Sequence, residues 1–390
     1  MKFLLKTLDM FFGKLLSLLI IYLSRKFNIK YTSRNLWGSL GHTLVEMDYF
    51  LRLKKLGQID NSIKIVFLSN EKKMSKIIYQ MFKKNFIFLI TLPYIEIFLK
   101  RRVLWPNQDL CLDIGLNSLG IDSDSSNFSH EDLLNRYSNY YKMILKTENY
   151  KPFKNFKIDK KLIEFLGFDL DKENYIVMQV KQNTANATAL KTDPSTYIKT
   201  IEYFQRNNFK IIFAGSKEAF PKEFENKNII NYNKFIHQSI KTDINLISKA
   251  SFVISCASGF GLLPFTQDVP CIFINTWIVA FPVPGKYIVH LPVKLKDKTN
   301  NKLISFHNMI KHYLEVDNYD FNSHHLYEVV PNNDEEILEA ALEAISLKKN
   351  YYDFSDNYKN FIKKYDDLPI RYASSRISEK FILKNINLFK

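Results

Sequence analysis

The residues best placed for chemistry lie between Ser251 and Asn275, SFVISCASGFGLLPFTQDVPCIFIN. An apolar run (Phe252–Ala257) ends at Ser258-Gly259, a short helix-like stretch with Pro264 follows, and Pro270 opens a second apolar run. The pattern reads as strand, tight turn, helix, strand. Such a turn leaves backbone N–H groups without intrahelical acceptors, with the positive end of the helix dipole behind them. That arrangement holds a phosphate or diphosphate.

Other candidates sit at comparable places. Lys181 ends the apolar run YIVMQVK and precedes a polar loop carrying Asn183 and Lys191. A lysine at the same sheet edge can neutralise a departing diphosphate. Gly215 follows a third run, Lys210–Ala214. His42 stands at the start of a helical pattern, and Glu46 lies one turn on, on the same face. An imidazole there can take a proton from a hydroxyl, with the carboxylate orienting it or serving as the base. Each has a plainer reading: Ser258 as a helix N-cap, Lys181 as a solvated lysine, His42 as a hydrogen-bonded turn residue.

Several classes are disfavoured. The chain has no GxxxxGK[ST], GxSxG or HExxH motif, which argues against P-loop kinases, α/β-hydrolases and zincins. Asp122-Ser123-Asp124 sits among Ser and Asn and reads as a solvated turn rather than a metal ligand pair. His307 and His312, five apart, fall on different helix faces, and His324-His325 lack companions. Cys111, Cys256 and Cys271 form no CxxC pair, so neither a disulfide framework nor a zinc site is indicated. No metal and no cofactor are expected.

The elements that must position these residues read as α/β. At 390 residues, 46% hydrophobic and 24% charged, the chain can fill two cores. Helix Thr43–Leu56, strand Ile63–Leu68, a lysine-rich helix near Glu71–Phe82, strand Phe86–Leu92 and a weaker strand Asp109–Ile114 make one alternating half. Residues 128–166 are helical and polar, a connector. Strands Tyr175–Val180, Lys210–Ala214 and Asn228–Tyr232, with helices Pro194–Arg206 and Ile244–Ala250, make the second half. A strong helix follows at Glu335–Leu347, and the end of the chain is helical.

The net charge of +15 is spread along the sequence without a recognition motif, so nucleic acid is not the expected partner. A membrane surface or an anionic substrate fits better. Residues 2–26, KFLLKTLDMFFGKLLSLLIIYLSRK, place Lys2, Lys6, Asp9, Gly13, Lys14 and Ser17 on one side and leucines and phenylalanines on the other. The uncharged stretch Leu15–Leu23 is too short to span a bilayer. An in-plane helix on an anionic cytoplasmic leaflet is expected, with packing on the protein's own core as the alternative.

The segments GSLGHTLVEMDYFLRLKKLG (38–57), YIVMQVKQN…DPSTYIKTIEYF (175–204), KIIFAGS (210–216), DINLISKASFVISCASGFGLLPFTQDVPCIFIN (243–275) and VVPNNDEEILEAALEAI (329–345) together resemble a family of bacterial glycosyltransferases of surface-polysaccharide gene clusters. That family is distantly similar to the lipopolysaccharide heptosyltransferases. The resemblance implies a GT-B fold, two Rossmann-like domains facing a cleft, with a nucleotide-sugar donor in the C-terminal half and no obligatory metal. It divides the chain into a membrane-associating helix (1–30), an acceptor domain (31–150), a nucleotide-sugar domain (151–350) and C-terminal helices (351–390). Gly41-His42 stands where heptosyltransferase-like enzymes carry Gly-Asp, and Lys181 and Lys191 stand where members often carry arginine. The function so implied is transfer of a sugar to a surface-glycan or lipid-linked acceptor, at the inner face of the cytoplasmic membrane. Two alternatives are a sugar-nucleotide 2-epimerase of similar fold and a catalytically silent scaffold.

Overall fold

Short apolar runs separated by helical segments can pair only in parallel, because each connection must cross back over the sheet. The computed structural model describes residues 2–33, 40–68, 88–90, 93–112, 116, 130–151, 156–181, 192–215, 219–256, 258–276, 282–311, 326–365 and 368–390. The chain forms two compact units. One holds Met1–Arg136 and Lys146–Lys154, the other Tyr137–Leu145 and Asn155–Lys390.

The first unit begins with helix α1 (Lys2–Lys26) and strand β1 (Ile29–Ser33), then α2 (Leu40–Lys55), β2 (Lys64–Leu68), β3 (Phe88–Ile90) and α3 (Pro93–Leu99). A π-helical turn, Lys100–Leu104, continues α3. Strands β1, β2 and β3 are parallel and lie in that order, with Tyr31 opposite Val66 and Val66 opposite Phe88. The free edge of β1 takes one parallel bridge, Tyr31 to Cys111. The weak strand expected over Asp109–Ile114 is therefore a 3-10 turn (Gln108–Leu110) followed by that single bridge. The lysine-rich helix expected near 71–82 lies outside the described residues.

Helix α1 packs in a sense its sequence does not announce. Ser17 and Ser24 are buried, Ser24 within 2.9 Å of the Tyr31 hydroxyl, and Ile20 and Ile21 touch the cluster of Tyr31, Leu99, Val103 and Leu104. Leu15, Leu16, Leu18 and Leu19 are exposed.

The second unit carries a seven-stranded parallel sheet. In chain order its strands are β4 (Tyr175–Met178), β5 (Lys210–Phe213), β6 (Ile229–Asn231), β7 (Phe252–Ser255), β8 (Cys271–Thr276) and β9 (Ile288–Pro292). Strands β10 (Lys294–Asp297), β11 (Lys302–Leu303) and β12 (Tyr327–Val330) form a small antiparallel sheet, and β13 (Arg376–Ile377) is the last strand. The spatial order is β13-β9-β8-β7-β4-β5-β6. The chain thus builds outward from β4 through β5 to β6, then returns to the far side of β4 and builds the other way. Every residue of β4, β7 and β8 is buried, as expected for a sheet covered on both faces.

The end of the chain completes this sheet. Helix α4 (Asp334–Lys349) opens on a capping box in which Asn333 and Glu336 satisfy each other's N–H groups. Its Glu343 accepts hydrogen bonds from Ser378 Oγ (2.7 Å) and the Glu379 N–H (3.1 Å), which follow β13 directly. Arg376 of β13 is 1% exposed, its guanidinium 4.6 to 5.6 Å from the ring centres of Phe354, Tyr352 and Tyr351.

Burial raises the Glu343 carboxyl to about 7, with the hydrogen bonds from Ser378 and Glu379 opposing the shift. The folded chain holds this proton where the unfolded chain, with an ordinary value of 4.5, has lost it. The folded state therefore binds more protons between those values, and stability falls as pH rises through the interval. In urea denaturation at pH 5 and pH 8, Glu343→Gln is expected to remove part of the wild-type decline. An unchanged decline would show that Glu343 ionises without consequence for the fold.

Candidate functional site

In an open parallel sheet the crevice for a ligand lies beyond the carboxyl ends of the strands where the order reverses. In the second unit that point is between β4 and β7, paired through Ile176–Phe252, Val177–Val253 and Met178–Ile254. The residues that follow these two strands are Gln179 to Lys181 and Cys256 to Gly259.

Gln179 joins them. Its N–H donates to the Ile254 carbonyl (2.9 Å) and continues the ladder, and its own carbonyl accepts the Tyr197 hydroxyl (2.8 Å). Its side-chain Oε1 accepts Ser255 Oγ at 2.9 Å and Ser258 Oγ at 2.7 Å. Ser258 Oγ in turn accepts the Gly261 N–H at 3.1 Å. The serine hydroxyl is therefore a helix cap locked to Gln179, the plainer of its two readings. What remains for an anion is backbone: a first helical turn has N–H groups without intrahelical acceptors, and Ser258 takes only that of Gly261. The N–H groups of Gly259 and Phe260 are the others in this turn. With Oε1 doubly engaged, the other polar group of the Gln179 side chain is its Nε2 amide, a donor only.

The helix behind the turn is short, three 3-10 residues (Phe260–Leu262) and five α-helical ones (Leu263–Gln267). Its dipole is correspondingly small, so the holding of an anion falls to the N–H groups and to a nearby cation. Lys181 lies two residues beyond Gln179. Its backbone is tied on both sides to Thr192: the Lys181 N–H donates to Thr192 Oγ1 (2.9 Å), and the Thr192 N–H donates to the Lys181 carbonyl (2.8 Å). Asn183 and Lys191 lie outside the described residues.

The glycines divide differently from the sequence reading. Gly259 has φ −62° and ψ −35°, ordinary helical angles that any residue adopts. Gly261 is the constrained one: a Cβ there would stand 2.5 Å from Ser255 Oγ and 2.8 Å from the Cys256 carbonyl oxygen. Gly215, at the end of β5, has its N–H donated to Asn233 Oδ1 (3.1 Å), and its carbonyl accepts Asn233 Nδ2 (2.8 Å). It stands one strand away from the reversal, on the β5 side.

The first unit has a reversal of its own. Its parallel segments lie in the order Cys111, β1, β2, β3, so the first strand again has a later segment on its free edge. Helix α2 follows β1, and His42 is its third residue. Glu46, one turn on, is 2% exposed, and its carboxylate accepts the Leu116 N–H at 2.6 Å. It ties α2 to Leu116, beyond the Cys111 bridge in the chain. A second buried tie, Arg52 Nε to Asp48 Oδ2 (2.7 Å) with Arg52 Nη1 to the Thr147 carbonyl (3.1 Å), fixes the far end of the helix. Among the described residues, no group of three or more His, Cys, Asp or Glu is placed to hold a metal ion. Asp122 to Asp124, His312, His324 and His325 lie outside them.

No protein-family model and no curated protein matches this chain in sequence. Among solved structures it is similar to a family 9 glycosyltransferase from Veillonella parvula (14% identity, 82% of this chain and 97% of that one, TM-score 0.49). It is similar also to the ADP-heptose LPS heptosyltransferase II of E. coli (8% identity, 83% and 100%, TM-score 0.44). A third is a UDP-N-acetylglucosamine 2-epimerase (10% identity, 84% and 99%, TM-score 0.35).

Gly261→Ala is expected to cost about 1–3 kcal/mol, because its methyl meets backbone that cannot rotate away. Gly259→Ala asks for no change of backbone angles and is expected to shift the thermal midpoint much less. Equal midpoints for the two variants would contradict this packing.

Proposed function

We propose that the chain is a GT-B-type glycosyltransferase that moves a sugar from a nucleotide-sugar donor to a surface-glycan or lipid-linked acceptor without a metal ion. One observation carries the reading: the reversal of strand order at β4 and β7 coincides with Lys181, the Gln179 amide and the N–H groups of the Ser258-Gly259 turn. Two kinds of hydrogen-bond donor and a cation at one crevice suit a diphosphate. The likeness of the sequence segments to surface-polysaccharide glycosyltransferases supports the same assignment.

In this mechanism the donor diphosphate lies on the Gly259 and Phe260 N–H groups, with Gln179 Nε2 as a further donor. The bond between the anomeric carbon and the diphosphate oxygen breaks as the acceptor oxygen bonds to that carbon. Charge accumulates on the leaving nucleoside diphosphate, where Lys181 and the N–H groups stabilise it more than in the ground state. His42 takes the acceptor proton. Glu46, buried and bonded to Leu116, holds the start of α2 in place. The protein works at the inner face of the cytoplasmic membrane, where lipid-linked acceptors are presented.

Thermal shift against UDP-, GDP-, CMP- and ADP-sugars identifies the donor, since a ligand of the folded state raises its midpoint. Gln179→Glu keeps both serine hydrogen bonds but replaces the Nε2 donor with a negative charge. It is expected to weaken donor binding by about two orders of magnitude, and Lys181→Ala by about one, as befits loss of a charge-assisted contact. His42→Ala is expected to abolish transfer while donor binding persists, and chelator is expected to leave the rate unchanged. An epimerised nucleotide sugar formed without acceptor would overturn the transferase reading in favour of an epimerase. Absence of binding across the panel would leave a scaffold.

A further inference from the structure

We infer that the first unit docks in the plane of an anionic bilayer through a composite apolar face, built from α1 together with α3 and Trp105. This deepens the proposed function by naming the surface from which a lipid-linked acceptor is taken, and it rests on that reading only for the acceptor. The docking itself is read from how the two segments are packed.

Helix α1 is turned inside out relative to a core helix. Beside Ile20 and Ile21, small and polar residues face the protein: Ser17 is 6% and Ser24 1% exposed, and a Cβ on Gly13 would lie 3.6 to 3.7 Å from the Arg102 guanidinium and the Phe98 ring. Leu15, Leu18, Leu19 and Tyr22 are each more than half exposed, and Leu16 nearly so. A helix with leucines on one side normally buries that side. Here water is left to cover it.

The neighbouring segment repeats the arrangement. In α3, Glu96 is buried and paired with Lys100 at 2.9 Å, and Leu99 is buried, whereas Tyr94, Ile95 and Ile97 are exposed. Trp105, past the π-helical turn, is 47% exposed. Exposed apolar side chains concentrated on two segments packed against each other mark an interaction site. Among the described residues, no helix is long and apolar enough to cross a membrane, so the mode is in-plane.

Charge selects the occupant. Lys14, Lys26, Arg101 and Arg102 are exposed on these same two segments, and Arg25 beside them pairs with Asp109 at 3.1 Å. A second copy docked face to face would set these cations against their own kind, because a two-fold contact uses the same patch twice. Anionic headgroups neutralise them while the acyl boundary takes the leucines and the Tyr22 and Trp105 rings.

The test is co-sedimentation of the full chain with vesicles of phosphatidylcholine alone and with phosphatidylcholine containing phosphatidylglycerol. Wild type is expected to prefer the anionic vesicles by about tenfold or more, a preference that added salt reduces. Leu15→Ser with Leu18→Ser, and separately Tyr94→Ser with Trp105→Ser, are expected to lower binding at least about tenfold. Arg101→Glu with Arg102→Glu is expected to erase the preference. These side chains are exposed, so unchanged circular-dichroism melts will show that the variants fold. Equal binding to both vesicle types, unaffected by the leucine pair, would overturn the inference. So would a soluble dimer that ignores vesicles and is split by the leucine pair. Vesicle binding without nucleotide-sugar binding would leave the docking standing and remove the transferase reading; the converse would do the reverse.

Discussion

The pairing of β4 with β7 is the constraint on which the second unit depends. Three parallel strands are laid down outward from β4, and the chain must then return to its other side to continue the sheet. In open parallel sheets the two crossovers flanking such a reversal leave in opposite directions, the arrangement in which a ligand opening forms beyond the strand ends. Gln179 makes this opening a defined shape. One side chain takes hydrogen bonds from both serines of the β7 exit while its main chain extends the β4 ladder. The turn at Ser258 is thereby held to the exit of β4.

The first unit uses the same order on a smaller scale. The Cys111 bridge gives β1 a neighbour on each side, and the Glu46 carboxylate accepts the Leu116 N–H. A buried carboxylate committed to a backbone donor is a structural tie, and it limits how far α2 can move relative to the chain beyond the bridge.

Much of the fold is legible in the sequence because parallel strands buried on both faces read as continuous apolar runs. Tyr175–Val180 and Lys210–Ala214 match strands to within two residues. The seven-strand order is not legible, since it is set by pairings between runs some seventy-six residues apart, such as Ile176 with Phe252. Gln179 is invisible for the same reason. On the page it is a polar residue before Lys181, and its meaning appears only when β7 arrives beside it. The sequence points to Gly259 and not to Gly261, because a Ser-Gly turn singles out its own glycine, whereas close packing against Ser255 is a tertiary fact. For α1 the sequence gives the two faces but not which one turns inward, because Tyr31, which takes the Ser24 contact, lies on the following strand.

The last forty residues lie outside the stretch of the family likeness, yet they close the large sheet. Without β13, the strand β9 would present a row of open N–H and carbonyl groups along its outer side, next to a buried apolar β8. Such an edge is a template for pairing with another chain. The two residues Arg376 and Ile377 are thus a seal, and the aromatic rings around the Arg376 guanidinium are what press it shut. Shortening this chain from its C-terminus would therefore first change its behaviour toward its own copies, turning a sealed edge into a sticky one before any strand of the interior is lost.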